Sequence, residues 1–254
     1  MPHFPWSQLR RLHLNKYQGS SSALLYFLKA CPDITHFSLA SSEALPSSDE
    51  FFELPIISLK ALIQLEIDHE IQDEDDEDDE DDVLPLVWIF DFISVPKLER
   101  LSIRSCGELQ DTELDWDLAP MFANPDCKVK FLDSSGFESE SASILERMVV
   151  TDITPVPLFP RVKRLQLTGP RIDPALLANV IQFREEQISQ GKEAIALLGR
   201  VEISYAVDEK MRRYYAAALS TILGSFGMET RCKLVFDPSE FEPNHLPSTV
   251  DMDG

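Results

Sequence analysis

A hexapeptide of the form L-x-x-L-x-L, repeated along the chain, constrains the fold more than any other feature. The matches are Leu9-x-x-Leu12-x-Leu14, Ile34-x-x-Phe37-x-Leu39, Leu62-x-x-Leu65-x-Ile67, Leu98-x-x-Leu101-x-Ile103, Val162-x-x-Leu165-x-Leu167 and Leu198-x-x-Val201-x-Ile203. Alternation at the last three positions puts two apolar side chains on one face of a strand. The starts are 25, 28, 36, 64 and 36 residues apart. The first 36 contains a ten-residue acidic run, and without it the spacing is 26. The gap of 64 has room for one more unit, expected as a degraded copy at Cys127–Leu132, CKVKFL. Periods in the twenties and thirties belong to stacked supersecondary units, so a solenoid is predicted.

Between the strands the apolar period becomes helical. Ser21 or Ser22 is placed to cap a helix carrying Leu24, Leu25, Phe27 and Leu28, stopped by Cys31-Pro32. Asp173-Pro174 is an N-cap followed by proline at the first helical position. Leu176, Leu177, Val180, Ile181 and Ile188 then line one face until Gly191. A further helix starts at Asp208 with Met211, Tyr215, Leu219, Ile222 and Phe226 in a stripe, and Leu84, Leu86, Val87 and Ile89 predict another. Pro5, Pro32, Pro55, Pro96 and Pro160 each stand shortly before a strand, where a missing N–H does no harm. The apolar segment Cys232–Phe236 is expected to close the array as a final strand, and residues 237–254 read as a disordered tail. Trp6, Trp88 and Trp116 sit beside apolar residues and read as packing residues.

Acids outnumber bases 44 to 23, for a formal charge of −21, which disfavours nucleic acid as a partner. Ten of those charges are Asp73, Glu74, Asp75, Asp76, Glu77, Asp78, Asp79, Glu80, Asp81 and Asp82. Ten adjacent like charges repel and solvate, so this stretch reads as a disordered loop over about residues 70–83. Its role is open between an inert insertion, a mask over neighbouring basic residues and a recruiter of basic proteins. No apolar stretch is long enough to span a bilayer. Four scattered cysteines with no C-x-x-C pair, and no apolar signal core at the N-terminus, point to a cytoplasmic or nuclear location.

Catalytic and cofactor signatures are missing. There is no phosphate-binding G-x-x-x-x-G-K-[ST] and no G-x-G-x-x-G, and His69-Glu70 lacks the second histidine of a zinc protease. The acidic run lacks the glycine that turns a calcium-binding EF-hand loop. A non-enzymatic chain without metal or cofactor, acting as a monomer, is the expectation.

The repeat register predicts a binding surface. In each unit the residues on either side of the second consensus apolar position point away from the core. The third position reads Arg11, His36, Gln64, Arg100, Arg164 and Arg200, and the fifth reads His13, Ser38, Glu66, Ser102, Gln166 and Glu202. Neither column has an apolar member. Four arginines in one row of an acidic protein favour a carboxylate or phosphate partner. The competing reading is local pairing, of Arg200 with Glu202 and of Arg100 with Glu66. Arg11, His13, His36, Gln64, Glu66, Arg100, Arg164, Gln166, Arg200 and Glu202 are the partner-binding candidates.

Together these residues resemble the leucine-rich-repeat region of fungal F-box proteins. Pro5-Trp6-Ser7-Gln8-Leu9 looks like its entry, Leu25–Leu39 (LYFLKACPDITHFSL) like its helix-Cys-Pro-strand unit, and Phe159–Gly169 (FPRVKRLQLTG) with Ile172–Ser204 like its C-terminal units. The resemblance implies an α/β leucine-rich-repeat solenoid over residues 1–236. Its curved parallel sheet would carry helices on the convex side, in about seven irregular units. It also implies substrate recognition for an SCF-type ubiquitin ligase through a protein bound on the concave face. Engagement of Skp1 is expected only with an F-box upstream, because residues 1–8 hold none. The asparagine such repeats place at their ninth position is replaced by Tyr17, Ser42, Glu70, Cys106, Pro170 and Ala206. The turns must therefore be hydrogen-bonded in another way. The alternative function is that of an acidic leucine-rich nuclear protein binding histones or other basic proteins through Asp73–Asp82.

Overall fold

The computed structural model describes residues 5–17, 19–41, 56–70, 86–106, 119–134, 138–150, 156–168, 172–204, 209–225 and 232–237. Each hexapeptide match supplies a strand. In chain order these and their additions are β1 (Arg11–Leu14), β2 (His36–Ser41), β3 (Ile57–Ser58), β4 (Gln64–Glu70), β5 (Ile93–Ser94), β6 (Arg100–Cys106), β7 (Phe131–Ser134), β8 (Arg164–Thr168), β9 (Arg200–Ser204) and β10 (Lys233–Asp237). Eight of them form one parallel sheet in the order β1-β2-β4-β6-β7-β8-β9-β10, while β3 and β5 make a separate two-residue parallel ladder. Sequential parallel neighbours require every crossover to return on the same side of the sheet.

The entry to the strands repeats with the sequence. The N–H of the first consensus residue donates to the carbonyl three residues before it at Leu9, Ile34, Leu62, Leu98 and Val162, at 3.0–3.2 Å. The second-position carbonyl of each strand then accepts two N–H groups from the next. Arg10 O takes Thr35 and His36, Thr35 O takes Ile63 and Gln64, and Ile63 O takes Glu99 and Arg100. The same pair of bonds recurs at Glu99, Lys130 and Lys163. One unit thereby sets the register of its neighbour, which is why the apolar columns stay aligned across the whole sheet.

One face of that sheet is core. Leu65, Ile67, Leu101, Ile103, Leu132, Leu165, Leu167, Val201 and Ile203 are all buried. Helices cover it: α1 (Ser21–Ala30), α2 (Ala119–Phe122), α3 (Glu138–Arg147), α4 (Pro174–Ser189) and α5 (Glu209–Ser225). The last three pack side by side. Ser20 caps α1, its Oγ accepting from Ala23 N at 3.2 Å. The expected cap at Ser21 or Ser22 therefore falls one or two residues late. Asp173 caps α4 as expected, with Oδ1 accepting from Ala175 N at 2.8 Å and Pro174 at the first position. Gly191, at φ +79°, follows its end. The apolar stretch before β5 is a 3₁₀ turn, Leu86–Asp91, rather than an α-helix, and it buries Ile89 and Phe90. Trp6 meets Phe27 edge-on at 4.7 Å between centroids while staying partly exposed.

One reading of the sequence is corrected. The degraded unit lies two residues later than CKVKFL suggests. Leu132 pairs with Leu101 and Leu165, which makes Val129, Leu132 and Ser134 its consensus positions. The final strand, β10, is parallel to β9 and pairs Lys233 with Arg200. It therefore adds one more strand in the same register. The architecture is a mixed α/β fold built on a large, open parallel sheet. Tyr17 shows how a turn manages without asparagine: its N–H donates to Ala40 O at 3.1 Å and its hydroxyl to Ser20 O at 3.0 Å.

Arg184 supports the strand entries from within the core. It lies fully buried on α4, and its Nη atoms donate to the carbonyls of Val162 and Phe159 at 2.9 Å, with longer contacts to Ala196 at 3.3 Å and Pro160 at 3.4 Å. Phe159 stands at φ +49°, a region that bulky residues avoid, immediately before β8. The cation thus gathers the carbonyls of a strained turn. Burial pushes its guanidinium down to about 10, well above neutral pH, so it remains charged.

Candidate partner-binding face

The other face of the sheet is built from the third and fifth positions. In register the third column reads Arg11, His36, Gln64, Arg100, Phe131, Arg164, Arg200 and Lys233. The fifth reads His13, Ser38, Glu66, Ser102, Asp133, Gln166, Glu202 and Val235. All ten partner-binding candidates therefore lie where the repeat register put them, on one face. The columns of the six units have no apolar member, and the misread unit and β10 add Phe131 and Val235 to them.

The arginines are not equivalent. Arg164 Nη2 reaches both oxygens of Glu202, at 2.7 and 2.9 Å, and Arg200 pairs with the same carboxylate. Glu202 is almost buried, so two cations share one desolvated acid. Local pairing at Arg200 is thus correct. Pairing of Arg100 with Glu66 is not: Gln64 Nε2 donates to Glu66 Oε1 at 2.6 Å, and Arg100 lies over the Phe131 ring, 4.5 Å from its centroid. Arg164 stands on the other side of the same ring at 5.1 Å. Phe131 is a half-buried aromatic between two guanidiniums.

Sequence reasoning missed a second anchor. Asp133 is fully buried, and its Oδ2 accepts from Ser102 Oγ at 2.9 Å and from Arg104 Nε and Nη2 at 2.9 and 2.8 Å. Burial works against the Arg104 charge, but its hydrogen bonds to Asp133 and the charges of Asp133, Asp68 and Glu66 outweigh it and hold Arg104 above its ordinary value. Arg104 occupies the seventh position of its unit, next to Asp68 across the ladder. Columns limited to the third and fifth positions do not reach it.

At the β1 end the face is concave on the local scale. A depression of about 250 Å³ is lined by Arg11, Leu12, His13, His36, Phe37, Ser38, Gln64 and Glu66. His36 Nδ1 lies 2.9 Å from Thr35 Oγ1, which fixes its ring. Gln166 stands between Asp133 and Glu202 in the fifth column. The acidic run Asp73–Asp82 lies outside the described residues. Among the described residues no group of three or more His, Cys, Asp or Glu is gathered to hold a metal ion, and no helix is long and apolar enough to cross a membrane.

No family model matches the chain, and no curated protein matches it. Among solved structures, a protein from Bacteroides fragilis is similar over 85% of this chain and 50% of its own, with 15% identity and a TM-score of 0.41. The match thus spans half the length of that protein.

Proposed function

We propose that the chain is a leucine-rich-repeat scaffold without catalytic activity that binds another protein on the open face of its sheet. The observation that carries this reading is the division of the sheet into two faces. One is apolar except at Ser134 and is covered by helices. The other presents aligned, mainly polar columns across eight strands, with Phe131 and Val235 as their apolar members. Seven strand steps of about 4.8 Å make that face roughly 34 Å wide, a size suited to a protein surface rather than a small molecule. The recurrent turn at the strand entries and the paired bonds onto each second-position carbonyl support repeated units. The likeness to F-box repeats supports substrate recognition as the biological role, with Skp1 engaged only where an F-box accompanies the repeats.

The test is comparative capture from cells. The intact chain, an open-face variant (Arg100→Glu with Gln166→Lys) and a helix-face variant (Glu186→Lys on α4) are used as bait under identical conditions. The expected result is a protein retained by the intact chain and the helix-face variant but lost from the open-face variant. Partners lost only from the helix-face variant would overturn the assignment.

A further inference from the structure

Ion pairing divides the arginines of the open face into two classes. Arg104 is paired with the buried carboxylate of Asp133, and Arg164 and Arg200 share that of Glu202. Arg11 and Arg100 are exposed and make no ion pair among the described residues. Between these two, in the same row, stand only His36 and Gln64. The row from β1 through β2 and β4 to β6 spans three strand steps, so the two cations are about 14 Å apart. The depression of about 250 Å³ opens between them.

Building on the open-face reading, we propose that this stretch binds an extended acidic segment of the partner protein carrying two carboxylate side chains four residues apart. An extended chain advances about 3.4 Å per residue and shows the same face every second residue, so residues i and i+4 point the same way about 14 Å apart. One carboxylate meets Arg11 and the other meets Arg100. The side chain at i+2 enters the depression, where Glu66 repels a third acid and accepts from an amide, hydroxyl or ammonium group. Stacking on Phe131 fixes the plane of the Arg100 guanidinium and leaves an N–H edge for a carboxylate. A single phosphate is a poorer match, because a dianion favours converging cations and Arg164, the next cation of the row, is two strands beyond Arg100. The net charge of −21 opposes such a segment only weakly at physiological ionic strength, since charges more than about 8 Å away are largely screened.

The experiment is a heteronuclear NMR titration of the full chain with a capped peptide, Ser-Glu-Ser-Asn-Ser-Glu-Ser. Saturable shifts are expected at the amides of β1, β2, β4 and β6. Arg11→Gln, Arg100→Gln, or glutamine in place of either peptide glutamate should each weaken binding by roughly threefold to fivefold, as for exposed ion pairs. Removing Arg100 together with its own glutamate should weaken binding no further than either change alone. Equal binding of a peptide with adjacent glutamates, tighter binding of a peptide with a single phosphoserine, or indifference to both arginines would overturn the clamp. If the peptide fails while captured proteins still require the open face, the clamp falls and the scaffold reading stands. If the couplings appear while captured proteins ignore that face, the clamp holds and the scaffold reading fails.

Discussion

Arg184 is the residue whose environment departs most from what its type prefers. A fully buried guanidinium with backbone carbonyls as its only partners among the described residues is retained because those carbonyls leave a strained turn at Phe159. Arg184→Met should cost about 3 kcal/mol, since an apolar side chain removes the charged donor from the carbonyls of Val162 and Ala196, while Phe159 O and Pro160 O keep the N–H groups of Val162 and Ala196. Urea unfolding measures it, and an unchanged midpoint would show that the carbonyls find other donors. The signal was present in the sequence. Arg184 falls four residues after Val180 and seven after Leu177, a charge inside an apolar helical stripe. Periodicity shows that such a residue is buried, but its partners lie in loops distant in sequence. Cys232 gives a pH test. Burial, with help from the charge of Glu185, pushes its thiol up to about 11. The folded state then holds its proton where the unfolded chain has lost it. This contribution is fully present below about pH 9 and disappears as pH rises through about 11, amounting to roughly 3 kcal/mol. The difference in unfolding free energy between the intact chain and Cys232→Ala should shrink across that window. A constant difference would contradict the assignment.

Elements were legible where local chemistry is strong. The limits of α4 follow from Asp173-Pro174 at one end and Gly191 at the other. Strands β3 and β5 carried no signal, because two residues cannot display a period. β7 was read out of register because Lys128-Val129-Lys130 imitates strand alternation, while its true sixth consensus position is the polar Ser134. That slip hid Phe131 and Asp133, and with them half the interactions of the face. Asp133→Ala should destabilise the chain by about 2 kcal/mol, because Ser102 loses a buried partner and Arg104 loses its carboxylate. Arg104→Ala should cost at least as much, since it leaves the fully buried Asp133 carboxylate without its counter-charge. Thermal unfolding of the two variants compares them directly, and an Arg104→Ala variant as stable as the intact chain would contradict the view of Asp133 as the anchor.

At the scale of the whole molecule, each unit contacts mainly its neighbours, so stability is shared along the sheet rather than concentrated in one centre. The β1 end is the weaker by burial: Leu12 and Leu14 are half-exposed, whereas Leu65, Leu101 and Leu132 are fully covered. Native-state hydrogen exchange should therefore find the amides of β1 opening at lower free energy than those of β4 and β6. Uniform protection would mean that the sheet opens only as one unit. The repeat register gave the order of the strands and the identity of the open face, because a period of two assigns every side chain to a side. It did not reveal which arginines are ion-paired, since that depends on carboxylates brought close only by the cross-strand register. The central claim is that the open face, and not the helix layer, meets the partner. Photocrosslinking tests it most directly, with a benzophenone amino acid placed at Gln166 on the sheet or at Glu186 on α4. The account predicts a covalent adduct with the captured protein from position 166 and none from position 186. An adduct from position 186 alone would contradict it.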